Sequence, residues 1–209
     1  MKKIYLTNNL NFDNVENLEV FKINYLDVKQ LNLDCYDALI FTSKNAVYSL
    51  NNITESWKRK DSYVIAPKTA NIIKELGGKL KFVGKNGHGN AFAYELVEEL
   101  KGKKVLYIRA KRTVSSLADI LKENSIDVES IITYETVCSD KKISIEDNAI
   151  IIFTSPSSVE CFFKKYEWQG SYKAVVIGET TAKYLPKHIE YFVSSKTSVE
   201  ECIKLASKL

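Results

Sequence analysis

The chain has 209 residues, of which 30 are basic and 26 acidic, which gives a net charge of +4. So small an excess argues against nucleic acid, because proteins that bind a phosphate backbone carry a stronger and more clustered basic charge. No apolar run approaches the roughly 20 residues that span a bilayer, and no signal-peptide pattern is present, so we expect no membrane partner and a cytoplasmic location. The four cysteines form no metal-ligand spacing with the two histidines, and we interpret them as reduced, packed thiols.

Short apolar runs alternate with helical patterns along the chain. Strands are predicted at 3–7, 38–42, 63–65, 104–108, 149–153 and 174–177, the first of them as an exposed or edge strand. Helices are predicted at 45–51, 68–76, 91–100, 115–124, 157–166, 180–185 and 199–209. Strands that alternate with helices favour parallel sheets built from βαβ units.

Two motifs occur twice at a single spacing. Ile40–Ser43 reads Ile-Phe-Thr-Ser and recurs at Ile152–Ser155, 112 residues later. A second motif, Val64–Ala70, has its counterpart at Val176–Ala182 with the same offset of 112 residues. Because a shared offset indicates a duplicated unit, we predict two similar α/β domains.

Two extended segments, 24–34 and 133–144, interrupt the regular alternation and are interpreted as crossings between the domains. The predicted domains are 1–25 with 140–209, and 32–133, joined by connector strands at 26–31 and 134–139. The fold class that follows is two three-layer α/β domains with parallel sheets and a two-stranded connector.

Hydroxyl and amide groups follow the predicted strands where helices begin. Free N–H groups at a helix start bind carboxylates or phosphates, and parallel sheets place ligands at this edge. The candidates for binding a polyanion are Ser43, Lys68, Thr69, Ser155, Thr180 and Thr181. Simple helix capping is the alternative interpretation of each, although the repetition in register weakens it.

Three further features have weaker signals. Arg109, with basic neighbours, follows the strand 104–108 and is either an anion contact or part of a solvated turn. The glycine-rich loop 84–90 matches neither a Walker loop nor a dinucleotide fingerprint, which favours a flexible turn. Tyr134 lies in a predicted crossing, where its phenol would donate a proton or simply fill space, and Tyr25 in the other crossing is its competitor.

Taken in order, the motifs resemble the uroporphyrinogen-III synthase family. They are Phe41–Val47 (F-T-S-K-N-A-V), Tyr134–Val137 (Y-E-T-V), Phe153–Val159 (F-T-S-P-S-S-V) and Val176–Ala182 (V-I-G-E-T-T-A). The resemblance covers essentially the whole chain and implies two α/β domains with the active site in the cleft between them.

The resemblance also implies an activity. Family members dehydrate and cyclise the linear tetrapyrrole hydroxymethylbilane with inversion of the last ring through a spiro intermediate, without a metal or organic cofactor. By matching motif, Tyr134 takes the place of the family's proposed general acid. The positions that match the lining of the family's cleft are Ser43, Asn45, Thr69, Ser155, Ser157, Gly178 and Thr181.

Two other functions remain open at this point. The first is a non-catalytic two-domain protein that binds a small polycarboxylate, and the second is a nucleotide-binding module of flavodoxin-like fold. The enzyme is favoured because Tyr134 and both Thr-Ser motifs are present, whereas no convincing phosphate loop is. A monomer with a small-molecule substrate is expected.

Overall fold

The computed structural model describes residues 2–8, 10–29, 31–85 and 87–209. The chain divides into two compact units: unit 1 comprises Met1–Lys22 and Val137–Leu209, and unit 2 comprises Ile23–Thr136. In the described part of the chain, no helix has the length and apolar character needed to span a membrane.

The strands are β1 (Ile4–Leu6), β2 (Val15–Asn17), β3 (Phe21–Tyr25), β4 (Ala38–Phe41), β5 (Asp61–Val64), β6 (Lys79–Val83), β7 (Lys104–Ala110), β8 (Asp127–Cys138), β9 (Ile150–Phe153), β10 (Lys173–Val176) and β11 (Tyr191–Val193). The helices are α1 (Lys44–Ile53), α2 (Pro67–Glu75), α3 (Gly89–Leu100), α4 (Leu117–Glu123), α5 (Pro156–Phe163), α6 (Glu179–Ala182) and α7 (Val199–Ala206), with a short 3₁₀ helix at Ser56–Arg59. The predicted α/β class is confirmed.

Unit 1 contains, within its described residues, a five-stranded parallel sheet of order β2-β1-β9-β10-β11. The order reverses between β1 and β9, since β1 leads outward to β2 while β9 leads in the opposite direction. Alternate β9 residues serve two cores: Ile151 and Phe153 pack with α5 and α6, whereas Ile150 and Ile152 pack with α7. Burial on both faces explains why the strand is apolar throughout.

Unit 2 is built around the sheet β3-β8-β7-β4-β5-β6, counted over the described residues. The five strands from β8 to β6 run parallel. The order reverses between β4 and β7. Ile40 faces a core with α3 and α4, while Leu39 and Phe41 face a core with α1 and α2. The arrangement β4-β5-β6 with α1 and α2 therefore matches β9-β10-β11 with α5 and α6, as the duplicated motifs predict.

The pairing of β3 with β8 is antiparallel. Leu26 N donates to Thr133 O at 2.9 Å and Ser139 N donates to Val20 O at 2.9 Å, so one strand ascends in number as the other descends. The register fixed by these bonds places Tyr25 opposite Tyr134.

Some predicted elements need correction. Residues 4–6 form an internal strand of the sheet, hydrogen-bonded to neighbours on both sides, and not an edge strand. The extended strand expected at 26–31 is instead β3, which ends at Tyr25; position 30 of that prediction lies outside the described residues, as does position 86 of the glycine-rich loop. Strands β2, β6 and β11 were not predicted from the sequence. Each lies at a sheet edge; β6 carries exposed lysines, and β2 and β11 have only three residues each.

The prediction of four reduced cysteines is wrong for one pair. Cys138, at the end of β8, forms a disulfide with Cys161 in α5. Cys35 is an exposed free thiol and Cys202 a buried one. A separation of 23 residues carries no recognisable pattern, so only the packing of α5 against the end of β8 brings the two sulfurs together.

Candidate functional site

The polar candidates of unit 2 gather where the order of its sheet reverses. In open parallel sheets, ligands bind outside the carboxyl ends of the strands at such a point. Here Thr42 and Ser43 follow β4, while Arg109 lies near the end of β7, the neighbouring strand. The register pairs Ala110 of β7 with Tyr134 of β8, which puts Tyr134 at the same edge.

Tyr134 is a buried phenol, with 5% of its surface exposed. Burial raises its pKa, and the nearby Ser43 hydroxyl partly opposes that rise. Its backbone carbonyl accepts from Lys111 N at 2.9 Å, which fixes the end of β8 against the loop after β7. The phenol is therefore protonated at neutral pH and held beside a hydroxyl group, as a proton donor requires.

Ser43 is the N-cap of α1, since its Oγ accepts from Asn45 N at 3.2 Å. Capping, the simpler interpretation, is thus present, yet the hydroxyl proton is still available to donate. Asn45 is half-buried in the first turn of the same helix. Ser43 and Asn45 therefore lie at the same edge of the sheet as Tyr134.

The start of α2 shares this edge of the sheet. Ala66 is its N-cap and provides no side-chain hydrogen bond. Pro67 has no N–H and Thr69 N donates to Ala66 O at 3.0 Å, so the first turn keeps the Lys68 N–H, which no cap satisfies. Thr69 is buried with 5% exposure, and Lys68 is exposed. Lys68 is accessible to an anion in solution, whereas the buried Thr69 would contact a ligand only where the core meets the surface.

The basic residues at and after the end of β7 have different partners. Arg109 is half-buried and its Nη1 donates to Thr113 Oγ1 at 3.4 Å. Lys111 pairs with Glu135 at 2.9 Å, which is why the pKa of that carboxyl is lowered. Arg109 is the better candidate for an anion contact because Lys111 already neutralises a carboxylate.

The polar candidates of unit 1 lie at the corresponding edge of its own sheet. Ser155 caps α5 in a capping box: its Oγ accepts from Ser158 N at 3.1 Å, and Ser158 Oγ accepts from Ser155 N at 3.2 Å. Ser157 is half-buried in the first turn. This helix start is more completely satisfied than that of α1, so its hydroxyls have fewer bonds left for a ligand.

The start of α6 is open. Gly178 is the N-cap, and a Cβ placed there would meet nothing within 4 Å, so a ligand can approach the backbone. Thr180 is exposed, while Thr181 is buried with 3% exposure. Thr69 and Thr181, which correspond in the repeat, therefore occupy equivalent buried positions.

Two polar contacts escaped the sequence analysis. Thr42 Oγ1 and the Tyr107 hydroxyl lie 3.0 Å apart across the β4–β7 junction. In unit 1, Thr7 is fully buried after β1, and its Oγ1 donates to Ile152 O at 2.7 Å. The available signal was a hydroxyl-bearing residue within or directly after an otherwise apolar strand.

Each unit is thus a doubly wound parallel α/β sheet with hydroxyl groups and helix starts at its carboxyl edge, the class of fold that binds small anionic molecules there. The family model HEM4, uroporphyrinogen-III synthase HemD, matches residues 22–204. The chain belongs to the uroporphyrinogen-III synthase family, and the resemblance is confirmed. It is therefore an enzyme of tetrapyrrole synthesis, a cyclising lyase.

Individual relatives agree. A protein of Methanocaldococcus jannaschii, provisionally named a uroporphyrinogen-III synthase, is 31% identical over 193 residues, which span 81% of this chain and 76% of the relative. The crystal structure of uroporphyrinogen-III synthetase from Helicobacter pylori 26695 is 30% identical with a TM-score of 0.84, and the match covers 100% of this chain and 99% of that one. A mutant uroporphyrinogen III synthase from Thermus thermophilus, 13% identical with a TM-score of 0.60 over 100% of this chain and 98% of that one, shares the fold.

Proposed function

We propose that the carboxyl edges of the two sheets bind hydroxymethylbilane and that Tyr134 donates the proton that starts its cyclisation. The observation that carries this proposal is the buried Tyr134 phenol, which lies near Ser43 at the point where the sheet of unit 2 reverses its strand order. Product formation would follow the family's route to uroporphyrinogen III.

Carboxylate binding is supported by the nature of the groups available. The substrate carries eight carboxylates, and the starts of α1, α2, α5 and α6 offer N–H groups together with hydroxyls. In this proposal the binding residues are Ser43, Asn45, Lys68, Thr69, Arg109, Ser155, Ser157, Gly178, Thr180 and Thr181. Many of these contacts would be made by backbone N–H groups at the helix starts.

The chemistry required of Tyr134 is limited. The phenol donates to the terminal hydroxyl of the substrate, the C–O bond breaks, and one water leaves as the pyrrole nitrogen supplies electrons to form an azafulvene cation. The substituted carbon of the last ring attacks that cation and gives the spiro intermediate, which fragments and recloses. The ring carbon attacked in reclosure then loses one proton to the Tyr134 phenolate, which restores both the pyrrole and the acid. A phenol whose pKa is raised by burial stays loaded with its proton at neutral pH, although it transfers that proton less readily.

Rate enhancement then comes mainly from conformation. The unassisted substrate already closes, but without inversion, so the protein has to hold the last ring where its substituted carbon reaches the cation. Positioning of the carboxylates by helix starts provides that control.

The test is an isomer assay. Freshly generated hydroxymethylbilane is mixed with purified protein, and the oxidised products are separated as uroporphyrin I and III. Predominantly type III, dependent on protein and insensitive to chelator, is expected. Type I alone at the uncatalysed rate would refute the proposal and favour a polycarboxylate-binding protein without catalysis.

We further propose that the protein is a cytoplasmic monomer with domains close to the two units. Light scattering coupled to size-exclusion chromatography tests the oligomeric state. Disulfides are uncommon in reducing compartments, so a Cys138–Cys161 bond that is oxidised in cells would argue against a cytoplasmic location. The state of this bond in cells therefore tests the proposed location.

A further inference from the structure

Unit 2 carries two buried tyrosines in the same row of its sheet. Tyr63 of β5 and Tyr107 of β7 both pair with Ile40 of β4, and both rings lie in the core formed with α3 and α4. Tyr63 is fully buried and Tyr107 is 2% exposed. The two residues therefore present nearly the same ring to the same core.

Their hydroxyl groups point to opposite ends of the strands. The Tyr63 hydroxyl accepts from Lys103 Nζ at 3.0 Å, and Lys103 directly precedes the amino end of β7. The Tyr107 hydroxyl shares a hydrogen bond of 3.0 Å with Thr42, which follows the carboxyl end of β4. Only Tyr107 therefore extends a polar group to the edge that carries the proposed site.

The Tyr107 hydroxyl also lies near the loop between β7 and α4. Burial raises the pKa of this phenol, and Thr42, the Arg109 charge and Ser115 each oppose that rise. Ser115 packs closely against the start of α3, because a Cβ added at Gly89 would lie 2.5 Å from the Ser115 side chain. The adjacent Ser116 N donates to Asn90 Oδ1 at 2.9 Å, so the loop is fastened to α3.

These contacts join two segments that hold proposed binding groups. Thr42 precedes Ser43, the neighbour of Tyr134, and Tyr107 lies two residues before Arg109. We propose that Tyr107 is a positioning residue, whose hydroxyl holds the Ser43 turn and the Arg109 loop at a fixed spacing across the β4–β7 junction. The inference rests on the proposed function, because it assigns Ser43 and Arg109 to the substrate.

The kinetic test compares Tyr107→Phe with Tyr63→Phe, which removes the same atom from the same row at the other end. Each variant loses one buried hydrogen bond, so similar losses of stability are expected. Only Tyr107→Phe should raise KM for hydroxymethylbilane, by about five-fold for one lost positioning bond, with kcat within about two-fold and a lower share of type III product. Thr42→Val should behave alike, and the double variant should be no worse than either single one.

Equal KM and equal isomer ratio in the Tyr107→Phe and Tyr63→Phe proteins would overturn the inference and leave Tyr107 as a packing residue. A wild-type protein that yields only type I would instead refute the proposed function. Amide hydrogen exchange on the same variants tests the inference without any activity. Tyr107→Phe should speed amide exchange in both 42–46 and 111–117, whereas Tyr63→Phe should speed it in neither segment. Unchanged exchange in the Tyr107→Phe protein would refute a positioning role whatever the activity.

Discussion

Replacing Tyr134 by phenylalanine separates acid catalysis from conformational control. The change removes a single oxygen from a side chain that is 5% exposed and packed in the core with α1 and α2. The ring remains, so the cost to stability is at most about 1 kcal/mol for the polar interaction lost near Ser43. The variant should therefore fold.

The expected loss of rate follows from the environment of the phenol. General acids contribute roughly 10²- to 10⁴-fold, and a donor with a raised pKa transfers its proton less readily, which favours the lower end. We expect type III formation to slow by about 100-fold, equivalent to about 3 kcal/mol in the activation barrier.

The assay is the initial rate of type III formation from fresh hydroxymethylbilane, with type I measured in parallel as the uncatalysed background. Tyr25→Phe is the matched control, because Tyr25 lies opposite Tyr134 on the antiparallel strand and is 41% exposed. An unchanged rate in the Tyr134→Phe protein would eliminate this residue as the acid and leave conformational control as the mechanism. A control variant that slows as much as Tyr134→Phe would show that the effect is not specific to the buried phenol.

Three other outcomes are expected. Thr69→Ala and Thr181→Ala should each raise KM by about five-fold if their hydroxyls contact carboxylates, whereas an unchanged KM would indicate a purely structural role. Reduction of the Cys138–Cys161 bond, which closes a segment of 23 residues, should lower the free energy of unfolding by about 3 kcal/mol. It should also raise the number of titratable thiols in the unfolded protein from two to four, and four thiols without reductant would contradict the disulfide. Because the folded pKa of Tyr134 exceeds its unfolded value near 10, its contribution to stability is constant below about pH 10 and falls above it. Urea unfolding at pH 8 and 10.5 should therefore show a smaller drop for Tyr134→Phe than for the wild type, and equal drops would argue that this phenol ionises normally.

The parallel core of the fold was accessible from sequence because buried parallel strands are continuously apolar. All six predicted strands and all seven predicted helices occur, with ends shifted by at most a few residues. Edge strands escaped notice because β6 alternates lysine with apolar residues and β11 has only three residues, two of them exposed. Neither pattern differs enough from a loop to be recognised alone.

The candidate site was accessible only in part. Ser43 and Ser155 were found because they end repeated apolar runs, and both prove to be helix caps. The contact between Thr42 and Tyr107 depends on the register of β4 against β7, which local patterns do not encode. Tyr107 was therefore indistinguishable in sequence from the other tyrosines that fill buried strands.

The order of strands along the chain has a consequence for synthesis on the ribosome. Unit 2 is continuous, so every strand between β4 and β8 has its partners once residue 136 has emerged. Unit 1 is interrupted: β1 is made first, yet its neighbour β9 begins only at Ile150. While unit 2 folds, β1 can therefore pair with β2 on one side only, and any delay in making β9 prolongs the time during which its other edge is unpaired and open to aggregation.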